Sequence, residues 1–398
     1  MELKPKYQYS YFIKPYVIKP DEYVAYLQDL MQNEKIKIRN FEKEKDMDIY
    51  AYFLPQIRNY VFPSFSQKEN KQNMTEKPVA HFSYDLTQNI LVKEKNTDKI
   101  IFGIHSIDLM CFQTGICFLI LKTYLENMKD FSDILNFNYK FRELNSEFFG
   151  FKKYERINLA VDNFSSMEEL KKLMKKLVGN VVENEEEDDN FYVYSYACVD
   201  GEIWNNDADF EKLKFDFYRF ANALPSSYTG ELNLDSKEGM KILDKWDCIR
   251  IGMTQNTTVL LTSSINTYHY TNLPHKFENE YLYTFLIDLY QKLYLKQMAK
   301  ELTQKGNIRK KRKAFNQFIK HIWSSELTKD ETGSLLYQHW KSLFHLDNLY
   351  LETMNLYDTR IKEYNDAKNQ HINHFLWLIV VICLIINLID FGILLSIK

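Results

Sequence analysis

The residues best placed to do chemistry lie near the end of the chain. Asn387 and Asp390 stand three apart inside Phe375 to Ile397, FLWLIVVICLIINLIDFGILLSI, twenty-three residues whose only other polar member is Ser396. At that spacing the two side chains share a helix face. A carboxylate at membrane depth is costly and usually faces a bundle interior or a water-filled path. Rings of acidic side chains favour cations. One reading is therefore an ion path lined by Asn387 and Asp390 from several copies of the chain. In the other, Asp390 reaches water at the outer interface and Asn387 hydrogen-bonds between helices. His371 and His374 sit i,i+3 just ahead of the run, a spacing that can ligate a metal. With no third ligand nearby they read, with Asn373, as membrane-interface residues, and no metal is assigned. The pentad Arg309-Lys310-Lys311-Arg312-Lys313 can touch anionic lipid or nucleic acid, or stand as a solvated patch with no partner.

Other chemistry leaves no trace. There is no GxxxxGK[ST], GxGxxG, GxSxG or HExxH pattern, so nothing calls for a cofactor or argues for an enzyme. Cys111, Cys117, Cys198, Cys248 and Cys383 show neither CxxC nor zinc spacing, and an odd, scattered set reads as reduced thiols. A net charge of −3 gives no global reason to expect nucleic acid as a partner.

The elements that must position these residues follow from periodicity. With only 11 Gly and 8 Pro in 398 residues, long regular elements are expected. Tyr9 to Ile18 reads as a strand, and a helix after Pro20-Asp21 puts Tyr23, Leu27 and Leu30 on one face. Lys35 to Phe41 alternates as a strand. Asp48 to Tyr60 is helical with a break at Pro55, and Ser64 to Lys77 is a loop. Lys99 to Phe112 and Ile116 to Tyr124 form a hairpin about Gln113-Thr114-Gly115. Phe131 to Glu143 is a short helix and Arg156 to Asp162 a strand. Ser165-x-x-Glu168 is a capping box opening a helix to about Leu177. The acidic run from Glu183 to Asp189 reads as a solvated loop. Phe191 to Val199 is a strand, and Asp207 to Ala223 a helix with Phe210, Leu213, Phe217 and Phe220 inward. Trp246 to Met253 and Thr257 to Thr262 form a hairpin. This alternation gives an α/β domain over residues 1–275.

From Pro274 on, strand signals stop. Phe277 to Leu302 carries a stripe of Leu282, Phe285, Leu286, Leu289 and Leu293, and Gly306-Asn307 ends it. The next helix carries Phe315, Phe318, Ile319, Ile322 and Trp323. From Leu335 a heptad seam follows: Leu336, Trp340, Leu343, Tyr350, Met354, Tyr357, Ile361, Tyr364, with Asp347 as its one interruption. No Pro or Gly stops it, so Leu335 to Ile397 is expected to be one helix of about 95 Å. Residues 276–370 form a helical stalk, and 371–398 hold one transmembrane helix, since about 20 apolar residues cross a bilayer. No secretory signal opens the chain. Arg360, Lys362 and Lys368 precede the apolar run while only Lys398 follows it, which puts the N-terminus inside. The expected location is the cell inner (plasma) membrane, single-pass, with a cytoplasmic N-terminal domain.

The run YLYTFLIDLYQKLYLKQMAKELT, then FIKHIWSSELTKDETGSLLYQHWKSLFHLDNLYLETMNLYDTRIKEYND and the apolar helix, resembles divergent CorA-like proteins over residues 278–390. The resemblance implies an N-terminal α/β domain, a long stalk helix that becomes a membrane helix, and a pentamer conducting divalent cations, chiefly magnesium. That family carries a second membrane helix joined by a Gly-Met-Asn loop. Here Phe391-Gly392 keeps only an aromatic-Gly start, Ile393 and Leu394 follow, and Lys398 comes with no second helix. Some divergent members are membrane effectors in prokaryotic defence, and keeping the rod while losing the filter suits such a role. Two functions lead, ahead of a weaker third, an enzyme with an unrecognised pocket in residues 1–275. One is a homo-oligomeric cation channel or pore-type effector gated by its soluble domain through a divalent cation or small signalling ligand. The other is a tail-anchored cytoplasmic sensor or scaffold without transport.

Overall fold

The computed structural model describes residues 4–64, 75–86, 90–94, 101–126, 128–142, 157–159, 177–178, 190–230, 239–304 and 308–396; of these, 90–94, 101, 157–159 and 387–396 are described as backbone only. The capping box at Ser165, the acidic run at 183–189 and most of the 64–77 loop lie outside them. In chain order the strands are β1 (Pro5–Val17), β2 (Ile36–Ile38), β3 (Val79–Tyr84), β4 (Ile90–Glu94), β5 (Ile101–Phe112), β6 (Ile116–Leu125), β7 (Ile157–Leu159), β8 (Tyr192–Val199), β9 (Lys241–Leu243), β10 (Ile249–Met253) and β11 (Thr257–Ser263). The helices are α1 (Tyr23–Gln32), α2 (Met47–Tyr52), α3 (Pro55–Val61), α4 (Phe131–Arg142), α5 (Asp207–Ala221), α6 (Thr267–Tyr270), α7 (Asn272–Lys276), α8 (Leu282–Thr303), α9 (Ile308–His321), α10 (Glu331–Leu343) and α11 (Leu346–Ser396). A π-helical turn, Phe277–Tyr281, joins α7 to α8.

The strands make one mixed sheet in the order β2-β3-β5-β6-β1-β8-β11-β10-β9, with β4 beside β5 and β7 beside β4. Among the described residues only the β8–β11 ladder is parallel. Alternation along the strands explains how both faces are covered. In β1, Phe12 and Tyr16 point to one side, where Phe12 meets Phe137 and Phe141 of α4. Tyr9, Tyr11 and Ile13 point to the other. In β8, Val193, Ser195 and Ala197 share the first face, while Tyr194 and Tyr196 share the second, where Tyr194 stacks on Phe277 at 4.2 Å. The first core takes in α1, α4 and α5 through Leu27, Leu30, Phe141, Leu213, Phe217 and Phe220. Each such side chain contributes about 1.5–3 kcal/mol when fully buried. On the second face Tyr290 of α8 stacks on Phe112 at 3.7 Å, and Trp340 of α10 donates Nε1–H to Thr258 Oγ1 at 2.9 Å.

Local chemistry sets the turns. Pro55 opens α3 at its first position and separates it from α2. Gly115 closes the β5–β6 hairpin at φ +90°, and its carbonyl accepts from Ile18 N–H at 2.8 Å. A Cβ there would stand 2.1 Å from the Ile18 carbonyl oxygen, so only glycine fits.

The expected single helix from Leu335 to Ile397 is corrected: it breaks at His345, whose φ is +53°, and becomes α10 and α11. Tertiary packing overrides the seam. Trp340 is tied to the sheet, and Phe344 and Leu346 on either side of the break are both buried. The chain turns between them through the left-handed region, with His345 N–H donating to Ser342 O. Two compact units result: Met1–Leu293 with Ile319–Leu346, and Tyr294–Phe318 with Asp347–Lys398.

Candidate functional site

Helix α11 has 51 residues, about 77 Å of continuous helix. Its first five turns have a covered side. Thr353 Oγ1 donates to Leu295 O, Phe315 packs on Tyr350 and Tyr357, and Arg309 Nε donates to Tyr364 Oη at 3.0 Å. The seam residues Tyr350, Met354, Tyr357, Ile361 and Tyr364 are thus half-buried against α8 and α9 of the same chain. From Asn365 to Ile386 every side chain is exposed. Phe375 is 64% and Trp377 69% exposed, and the apolar residues between Trp377 and Ile386 are open on all faces. A soluble helix buries at least one apolar stripe. From Asn365 to Ile386 this one buries none, and it is long and apolar enough to cross a membrane as a single span. Trp377, two residues into the run, has the amphipathic character found at membrane interfaces. His371, Asn373 and His374 lie exposed on the turns just before it. Asn387 and Asp390 fall within the unbroken helix, three residues apart; their side chains lie outside those described.

The basic pentad forms the first turns of α9, with Arg309, Lys310, Arg312 and Lys313 exposed. Lys311 is turned inward, where its ammonium donates to the Glu301 and Gln304 carbonyls and caps the end of α8. Arg360 of α11 reaches Gln304 O and pairs with Glu363 at 2.7 Å. Between α9 and α11 is a cleft of about 560 Å³ bordered by Arg309, Lys311, Arg360 and Tyr364. A second cleft, about 520 Å³ and bordered by Lys368, His371, Ile372 and Phe375, continues along α11; the two share Tyr364 and Ala367.

The sheet carries a different site, which sequence reasoning did not find. The β1–β6 ladder ends at the pair Ser10–Thr123. Beyond it the strands part, and a cleft of about 510 Å³ opens among Lys6, Tyr7, Gln8, His105, Lys122 and Tyr124. His105 is turned out by an irregularity in β5 between Ile104 and Ser106. Gln8 is buried, its amide nitrogen donating to Leu125 O at 3.3 Å while Oε1 has no partner among the described residues. Lys122 stands over the rings of Tyr9 and Tyr11 at 5.2 and 5.7 Å and is ion-paired with Glu278 of the π-helical turn. Burial, and then the charge of Glu278, holds the Tyr9 and Tyr11 phenols well above the ordinary range. One lysine therefore borders the cleft and grips the start of α8. On the next turn burial pushes Glu280 up to about 7 against the pull of Lys276, which also meets Asp330 at 2.8 Å. π-Helical turns inside α-helices are frequent at functional sites.

From Thr284 to Gln291 helix α8 is buried all round, between the sheet and α10. Thr284, Asp288 and Gln291 form a polar line on it, each fully buried. Thr284 meets Tyr52 Oη at 3.0 Å, and Gln291 donates to Ile322 O and Tyr337 Oη. Neither oxygen of Asp288 has a partner among the described residues. Burial raises this carboxyl well above its usual range, opposed only by the charge of Lys341.

Among the described residues, no three His, Cys, Asp or Glu side chains converge on one point. Comparison of the chain with protein-family models and with curated protein sequences gives no match.

Proposed function

We propose that the chain is a single-pass membrane protein in which the C-terminal helix anchors a cytoplasmic sensing domain. The observation that carries this reading is the stretch from Phe375 to Ile386, apolar and open on every face of an unbroken helix. The cations at 309–313, Arg360, Lys362 and Lys368 all precede the span, which favours the inner membrane with the N-terminal side in the cytoplasm. In the sensing domain the cleft where β1 and β6 part is the entrance for a small ligand. A ligand that draws Lys122 away from Glu278 changes what holds the π-helical turn, and shifts the protein only by its preference for one state. The test is fractionation of the full chain: detergent, and neither salt nor alkali, should release it from membranes. Replacing Ile379, Ile382 and Ile386 by Lys should leave it soluble. Release of the wild type by salt alone would overturn the anchor.

The spacing of Asn387 and Asp390 favours a second reading, a homo-oligomeric cation pore of CorA-like type. A carboxylate on a lone helix has no interior to face, so copies that gather around it would shelter it and line a path. Reconstituted protein should then conduct cations, and Asp390→Asn should change the conductance. A monomeric detergent-solubilised particle would remove the pore. Full function after exchange of α11 residues 375–397 for an unrelated span would leave the anchor alone.

A further inference from the structure

We infer that the exposed basic face of α9 docks on the anionic leaflet of the membrane that α11 enters, with phospholipid headgroups as its ligand. The inference rests on the membrane-span reading above. Arg309, Lys310, Arg312 and Lys313 are exposed within two turns of one helix, and a polybasic cluster of this kind is drawn to an anionic surface. Among the described residues Glu363, paired with Arg360, is the one carboxylate bordering the adjoining cleft. The position along α11 is what selects lipid over a soluble anion. Arg309 is tied to Tyr364, and Tyr364 precedes the apolar run at Phe375 by eleven residues, about 16 Å of helix. Lys368 and His371 occupy the interval, about 10 and 6 Å before Phe375, and the headgroup layer is roughly 5–7 Å deep on each side. The remaining gap to the pentad is about one Debye length at physiological salt, within which a polybasic segment feels an anionic surface. The two clefts that share Tyr364 and Ala367 run in the same direction, the basic one first and then one bordered by Ile372, Phe375 and Leu376, an order matching a charged headgroup followed by acyl chain.

The experiment is hydrogen exchange on the full chain in nanodiscs of phosphatidylcholine alone, or with part of it replaced by phosphatidylglycerol. A third arm adds inorganic phosphate to the neutral discs. The expected result is slower exchange over residues 308–321 in the anionic discs only, by about fivefold for each cation that reaches the surface. High salt should reverse it. Replacing Arg309, Lys310, Arg312 and Lys313 by Gln should abolish it, and a variant with all four positions Lys should keep it. Lys311 is left in place because it caps α8. Residues 375–386 report separately: if they exchange freely in every disc, the membrane-span reading fails. If they are protected in both discs while 308–321 ignores the phosphatidylglycerol, the lipid inference is overturned. Protection by phosphate equal to that by phosphatidylglycerol overturns it too, since the face would then be a small-anion site.

Discussion

Replacing Asp288 by Asn tests the interior of the sheet domain most directly. The wild-type carboxyl is fully buried, has no hydrogen-bond partner among the described residues, and is held protonated well above the usual aspartate range by burial. An unfolded chain releases that proton near pH 3.9. At every pH between these two values the folded state binds more protons than the unfolded one, so the free energy of unfolding falls as pH rises. The slope is about 1.4 kcal/mol per pH unit. Asparagine has nearly the same shape and no titration. Over that range the variant should gain steadily on the wild type as pH rises, because only the wild type loses a proton on unfolding. Glu280, also lifted by burial, tilts both proteins alike, so the difference between them isolates Asp288. Urea unfolding of the detergent-solubilised chain, followed by near-ultraviolet circular dichroism at intervals from pH 5 to 7, reads the two slopes. Parallel curves would show that Asp288 is ionised when folded, and the account of α8 as a dry helix would be wrong.

Other substitutions probe the turns and the cleft. Gly115→Ala places a methyl against the Ile18 carbonyl at positive φ and should cost about 1–3 kcal/mol or more, seen as a lower thermal midpoint. His345→Gly relieves a left-handed residue at the break between α10 and α11 and should raise stability by about 0.5–1 kcal/mol; a loss would mean that the imidazole makes contacts that matter more than the backbone. Lys122→Gln leaves Glu278 without its cation, which should cost about 1–3 kcal/mol and speed hydrogen exchange over 277–285. Unchanged exchange there would uncouple the cleft from α8.

Much of the sheet domain was legible because its signals are local. The alternation in β1 and β8, the Gly115 hairpin, the Pro55 break and the inward stripe of α5 each depend on residues within a few positions of one another. β3, β4 and β9 were missed. β9 is only three residues long, and in β3 the polar His81 sits where alternation expects solvent. The fold buries that ring against Phe41 and Phe62, with Val61 O as its partner, and pushes its pKa down to about 4. The stripe read on α8 was too narrow: Ile287 and Tyr290, off that stripe, are buried as well, which marks a helix covered all round from Thr284 to Gln291. The cleft at Lys122 could not be read at all. It exists because β1 and β6, more than a hundred residues apart, stop pairing at Ser10 and Thr123. The break at His345 did leave a mark, the missing apolar residue at Asp347 in an otherwise regular seam.

That seam bears on how copies of the chain could meet. Read alone, Tyr350, Met354, Tyr357, Ile361 and Tyr364 invite partners from other subunits. In the folded chain Tyr350 and Tyr357 pack on Phe315, Tyr364 accepts from Arg309, and Met354 and Ile361 are half-buried, so the covered part of α11 has little left to offer. Self-association through α11 must therefore begin beyond Tyr364, on the stretch that is bare in the single chain. Between Asn365 and His374 that stretch is mostly polar, and copies gain little there by leaving water. Between Phe375 and Ile386 it is apolar, and lipid solvates such a surface as well as another helix does, so apolar contact alone does not select an oligomer. What remains to reward assembly is the polar pair Asn387 and Asp390 at the far end. The pore reading then makes a sharp demand: Asp390→Leu, which strengthens the anchor, should at the same time dissolve any oligomer into monomers in detergent. An oligomer that survives the substitution would have to be held together by the soluble units, and the case for an ion path along this helix would fall with it.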